Sequence, residues 1–432
     1  MRRYKTYING EWFEGTSGIV LRSVDPSNNK ELGEIVQNSK EDVEYAIESA
    51  SRSFYKTREW RDLDVQQRSD KLLKIADMIE SEIDEIAKTE SMDNGKPLRE
   101  AQADVDDAVH CFRYYAGLIR TPSGQTYNVN SNFGNMHSYT VKEPVGVCAL
   151  ITPWNFPFLM SVWKIAPALA AGNSIIFKPS SETVLSALKL FEILDKCDLP
   201  KGTANLVIGS GSTVGNLLAE SKKVDMITFT GSTSVGQGIM RAAAGNVKKI
   251  GLELGGKSPN IVFADTDIDK TVEWVMMGIF LNQGEVCCAG SRLIIEKSIK
   301  DKFLKKLVER TDKLTLGAPL DNPDMGPLIS KKHMQDVLGY IEKGKAEGAK
   351  LLCGGYKCTD DDLVIKPAIF DDCTPDMSIV REEIFGPVLT VLTFETEEEA
   401  IELANDTDYG LAGAVFCNDT AKALRVIKEV RA

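Results

Sequence analysis

Apolar residues in the first third of the chain recur at helical spacing. Between Arg61 and Ser91 they fall at Leu72, Ile75, Ile79, Ile83 and Ile86, a period near ~3.6 residues that predicts an amphipathic helix. A second helical stretch runs from about Leu98 to Ile119, and Thr6–Phe13 reads as an edge ribbon ahead of the helices. Between Thr121 and Glu143 the texture changes to Pro, Gly, Ser and Asn alternating with Tyr127, Val129, Phe133, Tyr139 and Val141, which predicts a protruding hairpin. From Val145 onward, short apolar runs at Val145–Ile151, Ser174–Phe177, Asn205–Ile208, Met226–Thr230 and Asn260–Phe263 are separated by helical stretches. The alternation continues after Cys288, with strands at Arg292–Ile295, Val388–Phe394 and Gly413–Phe416 and helices near Ile299–Leu314, Lys331–Glu347, Glu397–Asn405 and Thr420–Val430. Strands that are apolar throughout, divided by helices, indicate parallel sheets covered on both faces. Their crossovers are right-handed, and ligands bind at the carboxyl ends of the strands where the order reverses. The pattern therefore predicts two doubly wound α/β units and a hairpin, with no internal repeat.

Composition narrows the function classes. The chain has 432 residues, of which 43% are hydrophobic and 26% charged. That is a globular balance with room for two or three domains. A net charge of −12 lacks the basic footprint of a nucleic-acid binder. No apolar run approaches the ~18 residues that span a bilayer. MRRYKTYINGEWFEG has no apolar segment after its basic residues and so does not read as a signal peptide. Nine scattered cysteines, an odd number in a long chain, suggest reduced thiols and a cytoplasmic location.

One motif match is misleading. Gly251–Ser258 satisfies GxxxxGK[ST], but Pro259 follows at once and Asn260-Ile-Val-Phe reads as a strand. A phosphate-cradling loop needs a helix to start at the Lys-Ser pair, so the context fails. Gly209, Gly211 and Gly215 follow a strand and open a helix, with the third glycine one residue late for a dinucleotide fingerprint. Phe229-Thr-Gly-Ser-Thr-Ser-Val-Gly236 repeats the theme, and Ser232 offers a hydroxyl at a helix N-terminus. Two such elements on adjacent strands favour a nucleotide site over two plain turns.

The densest stretch is Gly278–Arg292, where a helix ends, a polar loop follows and Cys287-Cys288 precede a strand. A vicinal pair suits neither zinc spacing nor an easy mutual disulfide. A loop cysteine beside backbone donors is instead a candidate nucleophile, since the thiolate is the reactive species. Cys111, Cys148, Cys197, Cys353, Cys358, Cys373 and Cys417 read as small buried hydrophobes. None of His110, His137 and His333 has a catalytic-looking context, so the general base should be a carboxylate. No metal site is expected.

Read together, ITPWNFP (Ile151–Pro157), FKPSS (Phe177–Ser181), FTGST (Phe229–Thr233), LELGGKSPN (Leu252–Asn260), NQGEVCCAGSR (Asn282–Arg292) and REEIFGPV (Arg381–Val388) resemble the NAD(P)-dependent aldehyde dehydrogenase superfamily. YINGEWFEG and DNGKP (Asp93–Pro97) extend the likeness over nearly every residue present. The resemblance implies an aldehyde dehydrogenase-like α/β fold with a Rossmann-like cofactor domain formed by 1–121 and 145–255. It further implies an oligomerisation hairpin at 122–144, a catalytic domain at 256–432 and a homodimer or homotetramer. Relatives continue past Ala432 with a further strand, a Gly-rich loop and a terminal strand, so the resemblance leads to the expectation of a chain truncated at its carboxyl end.

The resemblance also assigns roles. Cys287 is the nucleophile that attacks a small-molecule aldehyde. The Asn155 amide and the Cys287 backbone N–H receive the oxyanion. Glu253 activates the water that hydrolyses the thioester. Flanked by Leu252 and Leu254 ahead of two glycines, it should be largely buried, which raises a carboxylate's pKa; a buried Glu paired with Lys178 or Lys257 is the structural alternative. Asn155 is alternatively a helix N-cap. The cofactor, NAD or NADP, falls to Ile151, Thr152, Trp154, Lys178, Gly211, Gly215, Phe229, Ser232, Val235, Glu383 and Phe385. Lys178 bonds the adenosine ribose, Glu383 the nicotinamide ribose, and Phe385 packs the ring. Many NAD-preferring members carry a glutamate where this chain has Ser181, which admits the 2′-phosphate of NADP. Phe156, Met160 and Trp163 are expected in the substrate tunnel, where aromatic rings also suit a cationic group. ADVDDAVHCFRYYAGL and IELANDTDYGLAGAVF resemble betaine-aldehyde dehydrogenases, which leaves a betaine- or aminoaldehyde enzyme as one alternative. A catalytically silent truncated member acting as a binding or structural subunit is another.

Overall fold

The computed structural model describes residues 2–359 and 363–432. The chain folds into two compact units: Met1–Ser23, Glu31–Asp93 and Gln102–Glu253 form the first, and Val24–Lys30, Asn94–Ala101 and Leu254–Ala432 the second. The division falls between Glu253 and Leu254. Residues 24–30 and 94–101, which the sequence pattern groups with the first domain, pack with the second unit.

The helical period from Arg61 to Ser91 forms two helices, Val65–Ser81 and Ile83–Asn94, interrupted at Glu82 where φ is −113°. Ile79 and Ile86 on either side are fully buried. The apolar period thus runs through the break, and nothing in it marks a stop. The next helix, α1, spans Leu98–Leu118 as expected. A three-stranded sheet of Arg3–Tyr4, Val20–Val24 and Glu31–Val36 was not expected, because its short strands are half-exposed and carry little alternation.

The first unit is organised on parallel strands β1 (Val147–Ile151), β2 (Ser174–Lys178), β3 (Ala204–Leu206), β4 (Met226–Thr230) and β5 (Lys249–Glu253). They stand in the order β5-β4-β1-β2-β3, and the Thr6–Phe13 ribbon continues antiparallel beside β3. Strands β1 and β2 are buried at every position, as central strands covered on both faces must be. Helix α2 (Pro157–Ala170) follows β1, and α3 (Thr233–Ala243) follows β4. Thr126–Ser131 and Gly134–Tyr139 form the expected hairpin, exposed along its length with Phe133 97% exposed at the turn.

The second unit carries β6 (Pro259–Val262), β7 (Arg292–Glu296), β8 (Lys350–Cys353), β9 (Ala368–Asp371), β10 (Val388–Phe394) and β11 (Ala414–Phe416), in the order β8-β9-β10-β7-β6-β11. Only the β8–β9 pairing is antiparallel. Strand side chains alternate between faces. Ile261, Ile294 and Leu392 accordingly enter one core, and Val262, Leu293, Ile295 and Val391 the other. Helix α4 (Ile268–Phe280) covers the second face, and α5 (Lys331–Ala346) the first through Met334, Val337 and Ile341. At the misleading motif β6 follows Lys257-Ser258 directly, with no helix to cradle a phosphate.

Candidate active site

In the first unit, β1 is followed in sequence by β2 and β3 on one side and by β4 and β5 on the other, so the order reverses between β1 and β4. A crevice at the carboxyl ends of such strands is where open α/β sheets bind ligands. There the register sets Ile151 beside Phe229 and beside Lys178. Just beyond, the Thr152 hydroxyl and the Thr230 hydroxyl are buried without a hydrogen-bond partner. Two orphaned hydroxyls cost stability unless something polar meets them, so these residues fit a dinucleotide. Lys178 is buried, its Nζ donates to the Pro179 carbonyl at 3.0 Å, and burial pushes its ammonium down to about 8. A Cβ on Gly215 would lie 4.0 Å from the Lys178 stem, whereas Gly211 faces open space. Ser232 caps α3 without bonding the helix, and its hydroxyl lies 3.3 Å from that of Ser234. Val235 is exposed on the first turn. Ser181 is partly exposed after β2, and the Trp154 carbonyl accepts from Thr183 Oγ1 at 3.4 Å.

Asn155 is buried beside α2 but does not cap it: Phe156 is the cap residue and Pro157 opens the helix. Met160 is buried, with its N–H donating to the Phe156 carbonyl at 2.9 Å. Trp163, one turn on, is exposed and lines a cleft with Asp107, His110, Cys111, Tyr114 and Tyr115 of α1. Phe156 and Met160 do not line that cleft.

Glu253 corrects one expectation, for it is exposed and makes no ion pair with Lys178. Strand β5 is the edge of its sheet, so its flanking leucines do not bury it. Its carbonyl accepts from the Gly231 N–H at 3.0 Å. Nothing in the pattern of residues marks Lys164. Its Nζ donates to Thr228 Oγ1 at 2.8 Å, and burial pushes the ammonium down to about 8 against the opposing charge of Glu253. Proximity to a carboxylate across strands emerges only from the fold.

In the second unit the cysteines sit on a loop with an uncommon backbone. Asn282, Gln283 and Gly284 are successively left-handed, with φ of 46°, 58° and 73°, a strained run for non-glycine residues. Distant partners hold it. Glu100 Oε2 accepts from the Asn282 N–H at 2.9 Å, Gln283 Oε1 from the Gly326 N–H at 3.3 Å, and Glu285 Oε1 from the Ile329 N–H at 3.0 Å. Glu285 is fully buried, and desolvation raises its carboxyl well above the usual range.

Cys287 is partly buried and Cys288 exposed. The interaction between the two neighbouring thiols lowers Cys288 to about 6 and raises Cys287, with burial adding to the rise. A Cβ on Gly256 would stand 2.3 Å from the Cys287 carbonyl, so the two loops meet through backbone. Glu383 Oε1 accepts from the Gly256 N–H at 3.1 Å, and burial raises this carboxyl. Phe385 is left-handed at φ 58°, and its carbonyl accepts from His333 Nε2 at 2.7 Å. Cys287, Glu383 and Gly256 are therefore brought together. Among the described residues no group of three or more His, Cys, Asp or Glu side chains could hold a metal, and no helix is long and apolar enough to cross a membrane.

The model of the aldehyde dehydrogenase family matches residues 12–432. A betaine aldehyde dehydrogenase of Bacillus subtilis is 47% identical over 430 residues, covering 98% of this chain and 87% of that protein. The peroxisomal aminoaldehyde dehydrogenase 1 of Pisum sativum is 44% identical, over 99% and 86%. A crystal structure of betaine aldehyde dehydrogenase from Staphylococcus aureus with NAD+ superposes with a TM-score of 0.95 at 43% identity, over 99% of this chain and 85% of that one. The alignments run over almost all of this chain and over 85–87% of the length of these three relatives.

Proposed function

Because this chain belongs to the aldehyde dehydrogenase family, we propose that it oxidises an aldehyde to a carboxylic acid with NAD through a thioester on Cys287. The observation that carries the reading is the loop of the second unit. It holds Cys287 against Gly256 by backbone contact, with Glu383 bonded to the same glycine. A thiol held in a loop can attack a carbonyl, and N–H donors aimed at the resulting alkoxide stabilise it as it forms. The Cys287 N–H and the Asn155 amide are the donors we assign. Carbon–sulfur bond formation gives a hemithioacetal, and bound NAD accepts the hydride that converts it to a thioester. Glu253, exposed to solvent, then takes a proton from water as that water attacks the thioester, releasing the acid and restoring the thiol. Lys164 is suited to hold its negative charge. Lys178, Thr152, Ser232, Val235, Glu383 and Phe385 are the cofactor contacts, and Ser181 leaves room for NADP. Purified protein incubated with NAD or NADP and an aldehyde panel should form NADH or NADPH; folded protein without turnover would favour a silent, binding role.

A specific observation favours a cationic aldehyde. Trp163, Tyr114 and Tyr115 line one cleft with the carboxylate of Asp107, a setting in which a quaternary or primary ammonium group gains from both ring faces and charge. The kcat/KM for betaine aldehyde or an aminoaldehyde should exceed that for propanal, and Trp163→Ala should narrow the ratio by about tenfold. Equal ratios in the two proteins would remove the preference. Nine free thiols suit a reducing cytoplasm, and the exposed hairpin suits assembly into a homo-oligomer.

A further inference from the structure

His333 has no role in the chemistry above, yet it touches both loops of the second unit that do. It stands in the first turn of α5, where its N–H bonds the Ser330 cap hydroxyl. Its Nε2 lies 2.7 Å from the Phe385 carbonyl and 3.7 Å from Glu285 Oε1. A carbonyl only accepts, so the proton resides on Nε2. The imidazole also meets the Phe385 ring edge to face, with centroids 6.2 Å apart.

Phe385 needs such support. Its left-handed backbone at φ 58° is unfavourable for a non-glycine residue, and a strained conformation persists only where its surroundings enforce it. On the next residue, a Cβ at Gly386 would meet Val337 Cγ2 of α5 at 2.7 Å. A Cβ at Gly284 would meet the Gly386 carbonyl at 2.4 Å. The turn carrying Glu383 and Phe385 is therefore wedged between α5 and the cysteine loop, and Glu285, two residues before Cys287, lies within reach of the same imidazole.

We propose that His333 is a positioning residue: by donating to the Phe385 carbonyl it fixes the Glu383–Phe385 turn against the cysteine loop, and so sets the nicotinamide over the Cys287 sulfur. The proposal rests on the assignment of Glu383 and Phe385 to the cofactor. His333→Phe keeps the ring bulk without the donor, and His333→Gln keeps a donor of similar reach. Losing one such bond should raise KM for NAD by about tenfold, leave KM for the aldehyde within about twofold, and unmask a primary deuterium isotope effect on kcat with deuterated aldehyde. His333→Gln should restore most of the affinity. Unchanged KM for NAD in His333→Phe, or losses that His333→Gln does not repair, would overturn the proposal. Phe385→Leu separates the two layers. If it raises KM for NAD while His333→Phe does not, His333 alone is misassigned. If Phe385→Leu changes nothing, the cofactor assignment fails and the proposal with it.

Discussion

At the scale of single residues, chemistry is set by what surrounds each titratable group. Cys287 is half-buried beside an exposed Cys288, and Glu253 faces solvent where its flanking leucines suggested burial. If Glu253 activates water only after hydride transfer, Glu253→Gln should keep a stoichiometric NADH burst yet lose about a hundredfold or more in steady turnover. Loss of the burst in rapid-mixing experiments would contradict that role. Lys178 makes a second test through stability. Burial lowers its pKa from 10.5 to about 8, so between those values the unfolded chain holds the extra proton and stability rises with pH. Below about pH 8 the folded protein carries the cost of the buried ammonium. Lys178→Met should therefore raise the urea midpoint near neutral pH, by an amount that shrinks toward pH ~10.5, while weakening NAD binding. A midpoint difference independent of pH would show that the lysine's charge is not what burial opposes. Cys287, Asn155 and Lys178 stood out as candidates in the sequence because each sits in a long motif. The proximity of Lys164 to Glu253 was not legible there, since Thr228 and Glu253 reach it through the order of the strands.

Among the elements, the buried parallel strands were legible and the edges were not. Strands β1 and β2 are buried throughout and read as unbroken apolar runs. Strand β5, at a sheet edge, shows no such run, and β8 and β9 were missed outright. The cysteine loop was legible as a loop but not in its shape. Gln283 takes a positive φ because Glu100, Gly326 and Ile329 bond its neighbourhood from far along the chain, and local propensity carries no record of those partners. The shape has a direct test at Gly256, whose added Cβ would stand 2.3 Å from the Cys287 carbonyl. Gly256→Ala must displace the cysteine loop, and a 1 Å misplacement of reacting groups costs about a hundredfold. We expect kcat/KM to fall by about that factor with far-ultraviolet circular dichroism unchanged. Full activity in the alanine variant would mean that the two loops need not touch.

For the molecule as a whole, the hairpin is the feature the fold itself does not explain. Tyr127, Val129 and Tyr139 are exposed on it, Val141 is exposed just after it and Phe133 is 97% exposed, an apolar ribbon of the kind that marks an interaction surface. Phe133→Asp combined with Val141→Asp should lower the sedimenting mass at micromolar concentration and leave the thermal midpoint within a few degrees. An unchanged mass would count against the hairpin as an assembly surface. The likeness to relatives fixes the reaction class, and the thiol that performs it is the central claim. It is tested most directly by NADH formation in Cys287→Ser and Cys288→Ser variants, side by side with betaine aldehyde and NAD. Cys287→Ser should abolish both burst and turnover, by at least about a thousandfold, while Cys288→Ser should retain them; a burst that survives in Cys287→Ser and vanishes in Cys288→Ser would exclude Cys287 as the nucleophile.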